Sequence, residues 1–209
     1  MFCAGVSSHT LGEIQSKFSL APASLPIRYL GLPLCSKKLS VNDCDPLISK
    51  IRIKINSWMH RHLSLDGRLR LLSSIISGII VFWTQAFFLT KTVIRKINSL
   101  CSSFLWHEKL DCPTGARVAW YDVCFPKAEG DLGIRSISSW NETSDLKLIW
   151  MFFFRFGSIW VAWMRSRYLN RSSFWSLKED NATFSWMFRK ILKLRQKALS
   201  FLRISIGLG

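Results

Sequence analysis

Residues 71–90, LLSSIISGIIVFWTQAFFLT, run for twenty positions without a charge, between Arg68 and Arg70 on one side and Lys91 and Arg95 on the other. A run of that length either buries most of its side chains in a protein core or lies in lipid, because it is long enough to cross a bilayer as a helix. On a helical wheel Ser73, Ser74, Ser77, Gly78, Thr84 and Gln85 fall within about 140° of one another, which suits a soluble helix with one polar side. Small and polar residues gathered on one side also suit packing between membrane helices. The reading adopted is a core helix, with a membrane-associated chain spanning at 71–90 as the competing class. Residues 148–163 are interrupted by Arg155 and Gly157 and read as core helices.

The chain has 209 residues, enough for one well-buried core with a small appendage. Its 29 Lys and Arg against 13 Asp and Glu give a net charge of +16, a balance that favours nucleic acid or an anionic membrane surface. A solvated basic surface, or a piece lacking an acidic neighbour, gives the same balance. The charge is uneven. Residues 46–70 carry Lys50, Arg52, Lys54, Arg61, Arg68 and Arg70 against Asp66 alone, and residues 184–209 carry Arg189, Lys190, Lys193, Arg195, Lys197 and Arg203 against no acid.

Both basic segments have helical periodicity. Leu47, Ile48, Ile51, Ile55, Trp58, Met59 and His62 share one side of a wheel, and Lys50, Lys54 and Arg61 form a narrow stripe elsewhere. In the second segment Phe188, Ile191, Leu192, Leu199 and Leu202 cluster, with Arg189, Lys190, Lys193 and Lys197 on another arc. Long basic side chains on one helical face follow a phosphate backbone without reading sequence, and they are equally what a solvent face looks like.

The expected fold is mainly α: a helical, thumb-like bundle with a short extended or β element at the N-terminus and an irregular central connection. Residues 2–34 read as extended, broken by Pro22, Pro26 and Pro33. Helices are expected at 44–62, 66–89, 91–106, 136–155, 158–168 and 184–203, with Thr90 and Ser136 as N-caps and 107–135 as the connection.

Catalytic chemistry finds few candidates. The aspartates stand singly along the chain except Asp43 and Asp45, which with Asn42 and Pro46 read as a helix start. Cys101, His107, Cys112 and Cys124 can be drawn as a zinc set, but their spacing fits no standard site and no CxxC pair occurs, so the cysteines read as structural thiols of a reducing compartment. His9, His60, His62 and His107 lack partners at metal or nucleophile spacing, no Gly-rich loop precedes a helix, and no small-molecule substrate is expected. The tryptophans read as core residues, with stacking on unpaired bases as the rarer use. Residues 1–21 have neither a basic start nor a long apolar block, so the expected location is intracellular, nuclear or cytoplasmic, rather than secreted.

Val118, Trp120, Val123, Cys124, Pro126, Lys127, Glu129, Gly130, Leu132, Gly133, Ile134 and Arg135 follow one another in an unusual order. That order resembles the region after the polymerase core in plant LINE-type (non-LTR) retrotransposon reverse transcriptases, with Asp131 standing where the family usually has a second Gly. Residues 28–34, RYLGLPL, resemble the segment near the primer grip, and Trp58 to Leu72, W-x5-S-x-x-G-R-x-x-L-L, resembles the start of the thumb helix. Phe104-Leu105-Trp106, Trp140-Asn141 and residues 158–163, SIWVAW, continue the likeness. It implies a palm and primer-grip remnant at 1–40, thumb-like helices at 41–106 and a post-polymerase helical region at 107–209, ending before a zinc-binding module. The family polymerase uses Mg2+ held by paired aspartates, which this sequence lacks, so the chain alone is expected to be non-catalytic and without a cofactor. The implied partner is RNA or an RNA–DNA duplex, met by Lys50, Lys54, Arg61, Arg68 and Arg70, with Tyr29, Leu30 and Gly31 near the primer end. A decayed remnant without a selected function is the other outcome of such ancestry.

Overall fold

The computed structural model describes residues 6–19, 25, 27–35, 38–59, 61–107, 118–130, 132–154, 157–169 and 172–201. The chain forms two compact units, residues 1–39 and 40–209, and is mainly helical.

The first unit corrects one expectation. Residues 2–34 read as extended, yet α1 spans Ser8–Phe18, opened by Ser7, whose hydroxyl accepts from the Thr10 N–H at 3.2 Å. The helix buries none of its residues, so it stands on local capping rather than on an apolar face that periodicity would reveal. A two-stranded antiparallel hairpin follows, β1 (Ile27–Tyr29) against β2 (Leu32–Leu34), with Tyr29 opposite Leu32. Its two-residue turn, Leu30-Gly31, holds both residues at positive φ, 51° and 81°. Such a turn matches the twist of the strands and suits Gly, whereas Leu30 adopts it at a cost.

In the second unit, a short 3-10 turn at Asn42–Cys44 leads into α2 (Asp45–Met59). Asp43 Oδ2 accepts from the Ser40 N–H at 2.8 Å and its hydroxyl at 2.7 Å, so the acids at 43 and 45 do open a helix. The helix ends at Met59, and His62, expected on its apolar side, lies exposed beyond it. One continuous helical run then spans 65–86: α3 (Leu65–Leu71), a π-helical turn (Leu72–Ile76) and α4 (Ser77–Ala86). Serine hydroxyls explain the widened turn. Ser73 and Ser74 both donate to the Arg70 carbonyl, at 3.1 and 2.6 Å, and Ser77 donates to the Leu72 carbonyl at 3.1 Å, so side chains compete with the backbone ladder there.

That turn also corrects the wheel. Thr84, expected on the polar side, is buried at 4% exposure, because the extra residue of a π-turn rotates all that follows. Leu72, Ile76, Ile80 and Trp83 face the core, and Ser73, Ser74, Gly78 and Gln85 face outward together with Ile75 and Phe82. By length and composition the run Leu65–Ala86 is apolar enough to cross a membrane, with a mean hydropathy of 1.4 and 28% of its most apolar window buried.

Thr90 caps α5 (Lys91–Trp106) as expected, accepting from the Val93 N–H at 3.4 Å. The connection contains only α6 (Trp120–Val123) and a 3-10 turn at Lys127–Glu129 among its described residues. α7 (Ile137–Phe154) and α8 (Ile159–Tyr168) fall within a residue of their expected bounds. The last expected helix, 184–203, is instead two: α9 (Trp186–Lys193) and α10 (Arg195–Leu199), parted at Leu194. Beyond that break the wheel loses its phase, so Ala198 is buried while Leu199 is 54% exposed; Leu202 lies outside the described residues.

α2 packs on α5 and α4, α4 and α5 pack on α7, and α7 carries α9 and α10. Leu47, Ile51 and Ile55 from α2 and Val93, Ile97 and Phe104 from α5 are nearly inaccessible. A second, aromatic cluster joins Phe152, Phe174 and Phe188, with Tyr168 stacked on Phe188 at 4.4 Å between ring centres. Burial of this many large side chains, each contributing about 1.5–3 kcal/mol, fixes the helix arrangement.

Candidate nucleic-acid interface

α2 separates core from charge by helical spacing alone. Its buried row is Leu47, Ile51, Ile55 and Trp58, and its outer face presents Lys50, Ile53, Lys54 and Ser57, all exposed. Arg61 lies just past the helix, its N–H bonded to the Trp58 carbonyl at 3.0 Å, and is exposed too. Lys50, Lys54 and Arg61 have no acidic partner among the described residues. Two of these open cations stand on α2 and the third two residues beyond its end.

Arg68 and Arg70 are placed differently. Arg68 is half-buried, and its guanidinium Nη1 donates to the Phe104 and His107 carbonyls at 3.3 and 3.2 Å, closing the otherwise unpaired C-terminus of α5. Its Cζ lies 6.0 Å from the centre of the Phe104 ring. Arg70 is exposed and pairs with Asp66 at 2.9 Å. The W-x5-S-x-x-G-R-x-x-L-L run thus has a structural account. Trp58 is buried, Ser64 caps α3 by accepting from the Gly67 N–H at 3.2 Å, Arg68 ties α3 to α5, and Leu72 enters the core.

Tyr29, Leu30 and Gly31 occupy the hairpin tip, with Tyr29 62% and Leu30 74% exposed. They belong to the first compact unit, whereas α2 belongs to the second.

The C-terminal bases are mostly occupied. Lys190 Nζ meets Asp145 Oδ2 at 2.9 Å and lies 3.8 Å from the centre of the Phe88 ring. Arg195 donates to the Phe174 and Trp175 carbonyls at 3.0 and 2.9 Å and reaches Glu179, while Lys197 meets Glu142 at 2.6 Å. Arg189 and Lys193 alone keep exposed, unopposed charges among the described bases of this segment. Burial pushes the Asp145 carboxyl above its ordinary range, with the Lys190 hydrogen bond pulling the other way.

The run from 118 to 135 closes a loop. The Gly133 and Ile134 N–H groups donate to the Phe125 and Val123 carbonyls at 3.0 and 3.3 Å, with Val123 and Ile134 both buried beneath. At Gly133, φ is +70° and a Cβ would stand 2.9 Å from Lys127 Cγ, so a side chain there meets both strain and a clash. Asp131 lies outside the described residues. Among those residues no group of three His, Cys, Asp or Glu could hold a metal ion. Cys101 is buried, its thiol pushed up to about 12 by that burial, and Cys112 lies outside the described residues.

Sequence reasoning placed the tryptophans in the core. Trp58 and Trp83 are there, but Trp150 and Trp163 are 52% and 56% exposed. The signal for Trp150 was present in the wheel of α7, where both sides are apolar and no periodicity selects one.

No family profile matches the chain. It is similar to a protein of Arabidopsis thaliana that bears a provisional ribonuclease H name, at 24% identity over 158 residues. The match covers 74% of this chain and 26% of the relative, so the chain spans about a quarter of the length of the curated protein it matches.

Proposed function

We propose that this chain is a helical, non-catalytic piece of a transposon-type reverse transcriptase, holding RNA or an RNA–DNA duplex by its backbone inside the cell, in nucleus or cytoplasm. The exposed Lys50 and Lys54 on the outer face of α2, with Arg61 just past its end, carry the reading, because cations with no acidic partner among the described residues suit phosphates and carry no base readout. The likeness to a plant protein with a ribonuclease H name supports a nucleic-acid setting of transposon type. The sequence resemblance to LINE-type enzymes narrows it to the thumb and post-polymerase region. Arg70 contributes less, since Asp66 shares its charge, and Arg68 contributes mainly by holding α5 in place.

Binding of the purified chain to a labelled RNA–DNA hybrid across a salt series tests this. Replacing Lys50, Lys54 and Arg61 by Ala is expected to flatten the log–log salt slope by about 2 to 3, near 0.9 for each phosphate that is no longer neutralised. Hybrid affinity that ignores salt, or an unchanged slope in the variant, would sink the reading.

The outward Ile75 and Phe82 on the Leu65–Ala86 run favour a second reading, membrane association. Against it, the same face carries Ser73, Ser74, Gly78 and Gln85, and the run contains Asp66, Arg68 and Arg70. Resistance to carbonate extraction, with 71–90 shielded from protease, would decide for the membrane.

A further inference from the structure

The outer side of α7 holds a cleft of about 540 Å3, bounded also by Gln85 from α4 and by Ala198 and Phe201 at the C-terminal end. Its volume falls in the range of ligand sites, about 300–1,000 Å3. Trp140, Ile149, Trp150 and Phe153 form apolar walls, and Lys147 stands at the rim. Trp150 is 52% exposed and braced from behind by Phe154, with ring centres 4.0 Å apart and planes at 23°. A braced ring is a preorganised platform, since little rotamer freedom is left to lose when another flat group lands on it.

Charge selects among occupants. The two acids of α7 are both answered, Glu142 by Lys197 and Asp145 by Lys190, whereas Lys147 is exposed and has no acidic partner among the described residues. An apolar, aromatic cleft with one open cation at its edge complements a flat, weakly polar ring tethered to an anion. An apolar peptide would leave that cation unused.

We propose that this cleft takes an unpaired nucleotide of a single strand, DNA or RNA, its base stacked on Trp150 and its phosphate beside Lys147. The proposal rests on the nucleic-acid reading and adds a strand-specific site distinct from the duplex-holding face of α2. Stacking on an aromatic face is tolerant of base identity, so the stacked contact is sequence-tolerant, although Gln85, Thr143 and Ser144 also line the cleft.

The test measures affinity for a short labelled oligothymidylate and, in parallel, for the RNA–DNA hybrid, using the full chain and its Trp150→Ala, Trp150→Phe and Lys147→Ala variants. Trp150→Ala is expected to weaken single-strand binding by about 5- to 150-fold, the loss of one stacked base, while hybrid affinity holds. Trp150→Phe keeps a ring and most of the affinity, and Lys147→Ala lowers the single-strand salt slope by about 0.7. Unchanged single-strand affinity in Trp150→Ala overturns the proposal and leaves the α2 reading intact. Equal loss for both nucleic acids, or a shift from dimer to monomer in sedimentation, also overturns it, the latter by seating a second copy there. Single-strand binding without hybrid binding sinks the duplex reading and keeps the cleft; no binding of either sinks both.

Discussion

The outer face of α2 and the pair α9–α10 both carry bases at helical spacing, and they end in opposite states. On α2, Lys50 and Lys54 are exposed, with no acidic partner among the described residues. On α9–α10, Lys190, Arg195 and Lys197 each meet an acid, Asp145 and Glu142 of α7 and Glu179 of the preceding segment. The difference lies in what each helix packs against. α2 covers α5, which contains no acid, while α9 and α10 lie on α7, which contains two. A basic segment in a sequence is therefore a reservoir of charge whose use depends on its neighbour. One region is left for a partner, and the other is consumed in holding the fold.

The comparison breaks most directly at the paired end. Lys190→Met leaves the Asp145 carboxylate, 6% exposed, without its cation, and is expected to cost about 2–4 kcal/mol in urea unfolding. A loss below about 0.5 kcal/mol would mean that α9 is no more tied by charge than α2. Asn141→Ala comes next, at about 2–3 kcal/mol by the same measurement. Its side chain accepts from the Leu89 N–H at 3.1 Å and donates to the Leu89 carbonyl at 3.3 Å, so both backbone groups would be left buried and unpaired. That bond fixes α7 to the segment before α5, and with it the position of the acids.

pH sharpens the same contrast. Because the folded Asp145 carboxyl binds its proton more tightly than the unfolded one, its contribution is full below about pH 4 and is lost as pH rises through the raised value. Relative to the wild type, Asp145→Asn should gain stability as pH climbs above about 4, read as the separation of urea midpoints. Lys197→Ala, at a pair where both partners are over a third exposed, is expected to cost less than about 1 kcal/mol. Smallest in stability is the triple change of Lys50, Lys54 and Arg61 to Ala, within about 0.5 kcal/mol, although it alone should flatten the salt slope for the RNA–DNA hybrid.

Much of the fold was legible. α5 has its expected bounds because its cap, Thr90, and its buried spacing agree; α7 differs by a residue at each end and α8 by one at its start. α1 was missed because it buries nothing, so no apolar period marked it. The break at Leu194 was missed because residues 186–199 contain no Gly or Pro to signal it. Of the candidate interface, the exposure of Lys50 and Lys54 was readable from the wheel. The inward turn of Arg68 was not, since its carbonyl partners lie 36 and 39 residues away.

By itself the sequence determined the helical class, the separation of core from charge on α2, the helix start at 42–46 and the surplus of positive charge. These depend on neighbours within a turn or two, where spacing and capping chemistry are local. Tertiary structure decided which cations stay open, which side of Leu65–Ala86 is covered, and that Trp150 stands exposed on a braced ring beside Lys147. Those outcomes turn on contacts between distant segments, and an ion pair or an aromatic wall exists only once packing has brought both halves of it together.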